Sequence, residues 1–269
     1  MENIIKIGII QMRSERGDIE NNISRAKQYI YKCITDGADL ICLTELFNTG
    51  YYWDPEIKKV IKQSFNTTCN LLKNIAVENN VTIVGGIGEN DDDLYYDSMF
   101  IVKNNGESYL YRKTHLFRDE EKYFEEGNET LVTDIKGIKV GFLNCVEVCF
   151  PEFARTLALD GAELLVCSMA FGSARGKIYD LATRSRAIEN NCYLISSNQT
   201  GKSKTGNDDH DFYGHSRVVT PLGDVVDMGQ KEAYKVVKID LDLIKLSREG
   251  KLNEVHPYFR MRRPELYKN

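Results

Sequence analysis

Two hydrophobic periods alternate along the chain. Ile19, Ile23, Ala26, Ile30 and Ile34 recur every three or four positions and predict a helix over 18–36. Ile57, Val60, Ile61, Leu71, Leu72 and Ile75 do the same over 56–78, and 175–190 follows the helical pattern again. PEFARTLALDG is predicted helical, with Pro151 in its first turn. Between these segments lie short apolar or alternating runs bounded by Asn, Asp and Gly. They are IIKIGIIQM, DLICLTE, VTIVGGIG, YYDSMFIVK, ESYLYRK, IKVGFLNC, AELLVCS, NCYLISSN, YGHSRVVTP, GDVVDMG and AYKVVKID, and each predicts a strand. No Pro-, Ser- or Gly-rich linker interrupts the series, so residues 1–269 read as one domain. The mixed order favours a two- or four-layer α/β sandwich over a simple doubly wound sheet.

The pattern also echoes itself. DGADLIC (36–42) and DGAELLVC (160–167) each follow a helix and enter a strand, which predicts two related helix–strand units. Glu45 falls just past one strand and Ala170 just past the other. Strand ends are where α/β proteins build sites.

Composition narrows the class. At 42% apolar residues the chain can bury a large core. Charge is mixed, with a net of -5 and no Lys/Arg stripe, so a nucleic-acid surface is not indicated. The apolar start, MENIIKIGIIQM, lacks a small-residue cleavage site, and no run approaches the ~18 residues of a membrane span. The seven cysteines are odd in number and mostly sit inside apolar elements. Free thiols in a cytoplasmic protein look like this, and a disulfide framework does not.

GFLNCVEVCFPEFAR (141–155) raises the chemical question, because it places Cys145 and Cys149 four residues apart. A zinc site needs a second ligand pair, which is not nearby. As a nucleophile, Cys145 ends a strand just ahead of a helix, whose positive end favours thiolate. A nucleophile also needs a base and an oxyanion stabiliser. The histidines of NDDHDFYGHS, with Asp208, Asp209 and Asp211, could suggest a metal, but the stretch reads as a polar surface loop running into a strand. Glu45, among the aromatics of LTELFNTGYYW, and Lys113, ending YLYRK, supply a base and a cation. Tyr51, Tyr52, Trp53 and Phe171 fit either a pocket wall or a core.

TELFNTGY, YRKTHLF and GFLNCVEVCFPEFAR together resemble the carbon–nitrogen hydrolase, or nitrilase-like, superfamily. EKYFEEGNE, RSRAIENNCYLISSNQTG, FYGHSRVVTPLGDVV and RMRRPELY extend the resemblance almost end to end. It implies a four-layer α-β-β-α sandwich and an amidase or carbamoylase chemistry without metal or organic cofactor. Glu45 would be the base, Cys145 the nucleophile, and Lys113 with the Val146 N–H the oxyanion donors. Glu120 would be the fourth functional residue, with Glu121 its neighbour in contention. Tyr51, Val146, Ala170 and Phe171 are the candidate substrate-binding residues. The resemblance further implies a homodimer or higher homo-oligomer, with 252–269 as a candidate arm, acting on a small molecule without nucleic-acid or membrane partners. A nitrilase or an acyl-transferring relative is the alternative, and a non-catalytic binding protein on the same scaffold is a third class, against which the intact Glu45, Lys113 and Cys145 set argues. Relatives that take substrates with a free carboxylate often carry arginine four residues after the nucleophile. That position here is Cys149, and Arg175 reads as an exposed helix-start residue. Acidic segments NDDDLYYD and DEEKYFEEG are placed near the pocket. Uncharged or amine-bearing amides are therefore the expected substrates.

Overall fold

The computed structural model describes residues 3–205, 208–253 and 256–267, with only the backbone of 204, 205, 208 and 209. The first half of the chain runs β1 (Ile4–Gln11), α1 (Ile19–Thr35), β2 (Leu40–Cys42), α2 (Glu56–Glu78), β3 (Thr82–Asp91), β4 (Leu94–Val102) and β5 (Ser108–Arg112). The second runs β6 (Val132–Ile135), β7 (Ile138–Asn144), α3 (Pro151–Leu159), β8 (Leu164–Met169), α4 (Gly176–Asn190), β9 (Tyr193–Asn198), β10 (Thr200–Thr205), β11 (Asp208–Tyr213), β12 (Arg217–Val219), β13 (Val225–Asp227), β14 (Ala233–Asp240) and α5 (Leu241–Glu249).

Two six-stranded sheets result, ordered β14-β1-β2-β3-β4-β5 and β13-β12-β9-β8-β7-β6. Each has three parallel strands at its centre, β1-β2-β3 and β7-β8-β9, joined by helices. Parallel neighbours need such crossovers, and two-sided cover makes their strands apolar throughout. That is why LIC and LLVCSM read as continuous apolar runs. The repeated Asp-Gly-Ala units enter β2 and β8, the middle strands of the two sheets, so the echo is a real pseudo-symmetry.

The sheets face each other, with β1 against β9 and β2 and β3 against β8. Ile7, Ile9, Cys42, Val84, Phe142, Val166 and Ile195 belong to one core that spans this interface. Helices α1 and α2 cover the outer face of the first sheet, and α3 and α4 that of the second. Ile30, Leu72 and Ile75 from the predicted helical stripes fill the layer under α1 and α2. The four-layer α-β-β-α sandwich is thus present.

Two readings need correction. YGHSRVVTP is not one strand. Gly214 and His215 both take positive φ, 66° and 53°, and break the run between β11 and β12. NDDHDFYGHS is not a loop, since Asp208–Tyr213 forms β11, paired antiparallel with β10. In the tail, His256 and Phe259 bond to Asn191 of their own chain, whereas Met261, Leu266 and Tyr267 are exposed. Residues 254, 255, 268 and 269 of that candidate arm lie outside the described residues. No helix among the described residues is long and apolar enough to cross a membrane.

Candidate active site

Both sheets deliver their central strand ends to one place. After β2 the chain turns sharply, with Leu46 at φ 46°. The Glu45 N–H donates to Met169 O at the end of β8 (3.4 Å), and Gln199 Nε2 donates to the Glu45 carbonyl (2.7 Å). Gly86 of β3 makes the turn feasible. A Cβ there would lie 2.5 Å from the Glu45 Cα. The pseudo-symmetric strand ends anticipated at Glu45 and Ala170 therefore meet directly.

Lys113, just past β5, is completely buried. Its Nζ donates to Glu45 Oε1 (2.6 Å), Glu120 Oε1 (2.9 Å) and Asp97 Oδ2 (3.2 Å). Burial alone would lower its pKa, but the charges of Glu120, Glu45 and Asp97 outweigh that and raise it well above the usual lysine range. Lys113 is therefore a permanent cation. The oxygens of Glu45, Asp97 and Glu120 lie within 4.8 Å of one another, a spacing that suits a metal ion. The cation they already hold is the Lys113 ammonium.

Glu120 is buried in a short 3-10 turn (Arg118–Lys122), whereas Glu121 is exposed. Geometry therefore chooses Glu120. Its Oε1 also accepts from the Tyr51 hydroxyl (2.8 Å), and its Oε2 accepts from the Phe117 N–H (2.7 Å). Burial raises the proton affinity of both Glu45 and Glu120, with Lys113 opposing in each case.

Cys145 follows β7 and takes φ +49°, a left-handed conformation costing roughly 1–2 kcal/mol for a non-glycine residue. A 3-10 turn (Cys145–Cys149) separates it from α3. The expected help from a helix N-terminus does not decide its ionisation. Burial first, and then the Glu45 charge, raise its pKa well above the thiol range, against Lys113 and the Ala170 N–H. The resting thiol is neutral and needs a base beside it. Glu45 Oε2 is buried and has no hydrogen-bond partner, so it is available for that proton.

A cavity of about 90 Å³ opens onto Cys145, walled by Tyr51, Ala170 and Phe171. Tyr51 and Phe171 are thus pocket residues, whereas Tyr52 is buried elsewhere and Trp53 packs edge-on against Tyr51. Val146 is buried beside Cys145, with its side chain outside the cavity wall. Larger grooves of about 310 and 480 Å³ lie around Glu89–Arg112 and Lys136–Arg248, but no described cysteine lines them.

His210 and Arg175 also line the cavity, against the reading of both as surface residues. The β10–β11 hairpin carries His210 to a ring-edge contact with Tyr51 (6.3 Å between centroids). The side chains of Asp208 and Asp209, its suggested metal partners, lie outside what is described. Arg175 is half-buried, with Nη2 3.9 Å from Cys149 Sγ. His215 instead pairs with Asp227 (2.8 Å).

Two buried acids escaped the sequence reading. Asp97 accepts from Asn144 Nδ2 (2.9 Å) as well as from Lys113, linking the residue before Cys145 to the lysine. Glu147 accepts from Tyr111 Oη, Asn144 N, Thr114 N and Thr114 Oγ1, at 2.6–2.7 Å. It ties the lysine segment to the cysteine turn. The signal for Asp97 was an acid inside the apolar strand YYDSMF, and for Glu147 an acid enclosed by VEV.

The sandwich thus gathers these acids, the lysine and the thiol at its strand ends. A family profile described as carbon-nitrogen hydrolase matches residues 6–249. A nitrilase of Pyrococcus abyssi is 32% identical over 98% of this chain and 99% of its own length. A 2-oxoglutaramate amidase of Bacillus subtilis is 31% identical over 97% and 98%. Among solved structures, an amidase of Nesterenkonia AN1 from the nitrilase superfamily aligns with TM-score 0.85, at 23% identity over 97% of this chain and 95% of that one. The chain belongs to the carbon–nitrogen hydrolase family, as an amidohydrolase with the nitrilase-like fold.

Proposed function

We propose that the protein hydrolyses a small amide or carbamoyl compound through a thioester on Cys145. The observation that carries this is Glu45, with one oxygen on Lys113 and the other unpartnered, next to a buried neutral thiol. Glu45 takes the thiol proton as Sγ attacks the carbonyl carbon. Lys113 Nζ and the Val146 N–H stabilise the oxyanion. As the tetrahedral adduct collapses, the C–N bond breaks and Glu45 returns the proton to the leaving ammonia or amine. Water then enters, gives a proton to Glu45 and attacks the thioester. The acid departs and the thiol is restored. Glu120 fixes Lys113 and the Tyr51 hydroxyl, and so orients the substrate. The step sequence uses no metal or organic cofactor.

Relatives with amidase names support this reading, as does an amidase of this fold described with the acetamide moiety of fluoroacetamide added at its active-site cysteine. The nitrilase relative supports a second reading, attack of the same thiol on a nitrile carbon. The seven unpaired cysteines suit a reducing, cytoplasmic location, and we read residues 1–269 as one domain that pairs into a homodimer.

The test is ammonia release across amides, carbamoyl compounds and nitriles, with mass spectrometry of the enzyme during turnover. An acyl adduct on Cys145, and no turnover by folded Cys145→Ala, are expected. Undiminished turnover by Cys145→Ala would refute the proposal. Ammonia from nitriles alone would select the second reading.

A further inference from the structure

We propose that Arg175 receives a carboxylate on the substrate, so that the preferred substrate is a short amide carrying a free acid group at its far end. This deepens the hydrolase reading and rests on Cys145 as its nucleophile. It also reverses the substrate charge expected from the sequence.

Arg175 ends the short turn Ser173–Arg175 between β8 and α4, and its guanidinium lines the same small cavity as Cys145. It sits 4.6 Å from the ring centroids of both Phe117 and Phe171, with Cys149 Sγ beside Nη2. None of these groups neutralises it. Among the described residues no carboxylate pairs with Arg175, whereas Arg112, Arg186 and Arg217 each have one within 2.7 Å. A sheltered guanidinium braced by two aromatic faces, with its charge unmet, is built for a planar anion arriving from outside. It offers a fork of N–H donors that matches a carboxylate.

The charges around the cavity agree. Arg118 lines it as well, and among the described residues no Asp or Glu side chain does. The acidic segments placed near the pocket do not line it, and their Asp97 and Glu120 are buried on Lys113. A substrate carboxylate turned toward Cys145 would approach Glu45, Asp97 and Glu120. Turned the other way it meets Arg175 and Arg118. Charge therefore presents the amide end to the thiol. An ammonium on the substrate would meet the opposite field. The volume of about 90 Å³ restricts the linker to a few carbons.

Cys149 leaves the room, and the turn before α4 supplies the cation.

The test compares succinamate and glutaramate with their methyl esters and with an amine-bearing amide of equal length, on the purified full chain. The free acids should exceed the esters in kcat/KM by at least about tenfold. Arg175→Gln should bring that ratio close to one, and Arg175→Lys should keep part of it. Calorimetric binding to folded Cys145→Ala, with and without Arg175→Gln, gives the same comparison without turnover. A binding preference for the acids with no hydrolysis by the native protein would leave Arg175's role standing and refute the hydrolase reading. Equal or better use of esters or amines, or an acid preference that survives Arg175→Gln in both measurements, would overturn the proposal.

Discussion

At the scale of single residues, the site is a contest between burial and charge. Burial first, and then the charges of neighbouring acids that share one lysine, make Glu45 and Glu120 hold protons more tightly than ordinary carboxyls. Glu45 must be ionised to act as a base, so the acid limb of kcat/KM should lie above the usual carboxylate range. The limb belongs to the coupled cluster and not to one residue. The Asp97 charge is one of the causes that raise Glu45. Asp97→Asn should therefore move the acid limb to lower pH, whatever its effect on the maximal rate. A profile shifted upward or unmoved would contradict this electrostatic account. Glu45→Gln supplies a check on stability. A carboxyl whose folded pKa is raised contributes stability at low pH and loses it as pH rises through that pKa. The melting temperature of Glu45→Gln relative to wild type should thus climb with pH. For the fourth acid, Glu120→Gln should cost at least about a hundredfold in rate, while exposed Glu121→Gln should stay within a few-fold. Comparable losses in both would mean that burial had misidentified the residue.

Elements hold these residues through a few close contacts. Gly86 allows β3 to pass under the Glu45 turn, where an added Cβ would meet the backbone of Glu45, Leu46 and Thr44 at 2.5–3.0 Å. Backbone cannot swing aside like a long side chain. Gly86→Ala should lower stability by about 1–3 kcal/mol in urea denaturation and reduce kcat by displacing Glu45. Glu147 is the matching clasp on the other side. It accepts four hydrogen bonds from Tyr111, Thr114 and Asn144. Gln in its place turns an amide NH2 toward donors, so Glu147→Gln should cost about 1–3 kcal/mol. An unchanged unfolding midpoint would show that the clasp bears no strain. Sequence patterns located nearly every element, because apolar periodicity records which faces are covered. They missed α5, the short β6 and the β10–β11 hairpin. LDLIKLSRE is short and mostly polar, and TGKSKT has no apolar alternation to report a buried face.

For the whole molecule, the open question is what covers the outer face of the second helical layer. Ile178 and Leu181 of α4, three residues apart and so on one face, are 47% and 70% exposed, and Leu159 of α3 is 50% exposed. Large apolar side chains grouped on one layer favour association. Sedimentation should show a homodimer, and Leu181→Glu should weaken it measurably. A monomer at micromolar concentration would refute the dimer.

The sequence by itself determined the alternation of helices and strands, the middle strands and, through motifs that resemble the carbon–nitrogen hydrolases, the candidates Glu45, Lys113 and Cys145, with Glu120 and Glu121 both in contention. Each of these rests on local chemistry: apolar runs that must be covered, and reactive side chains at strand ends inside specific motifs. Tertiary structure decided the rest. It chose Glu120 over Glu121 by burying one of two adjacent acids, a distinction that spacing cannot make. It enlisted Asp97, whose neighbour Lys113 is distant along the chain but adjacent in space. It brought His210 and Arg175 to the cavity, because the face a hairpin or a turn presents depends on what it packs against. Arg175 shows the reason most plainly. Its sequence neighbours mark only the start of a helix, while Phe117, Phe171 and Cys149 come from three other segments to place its charge beside the thiol.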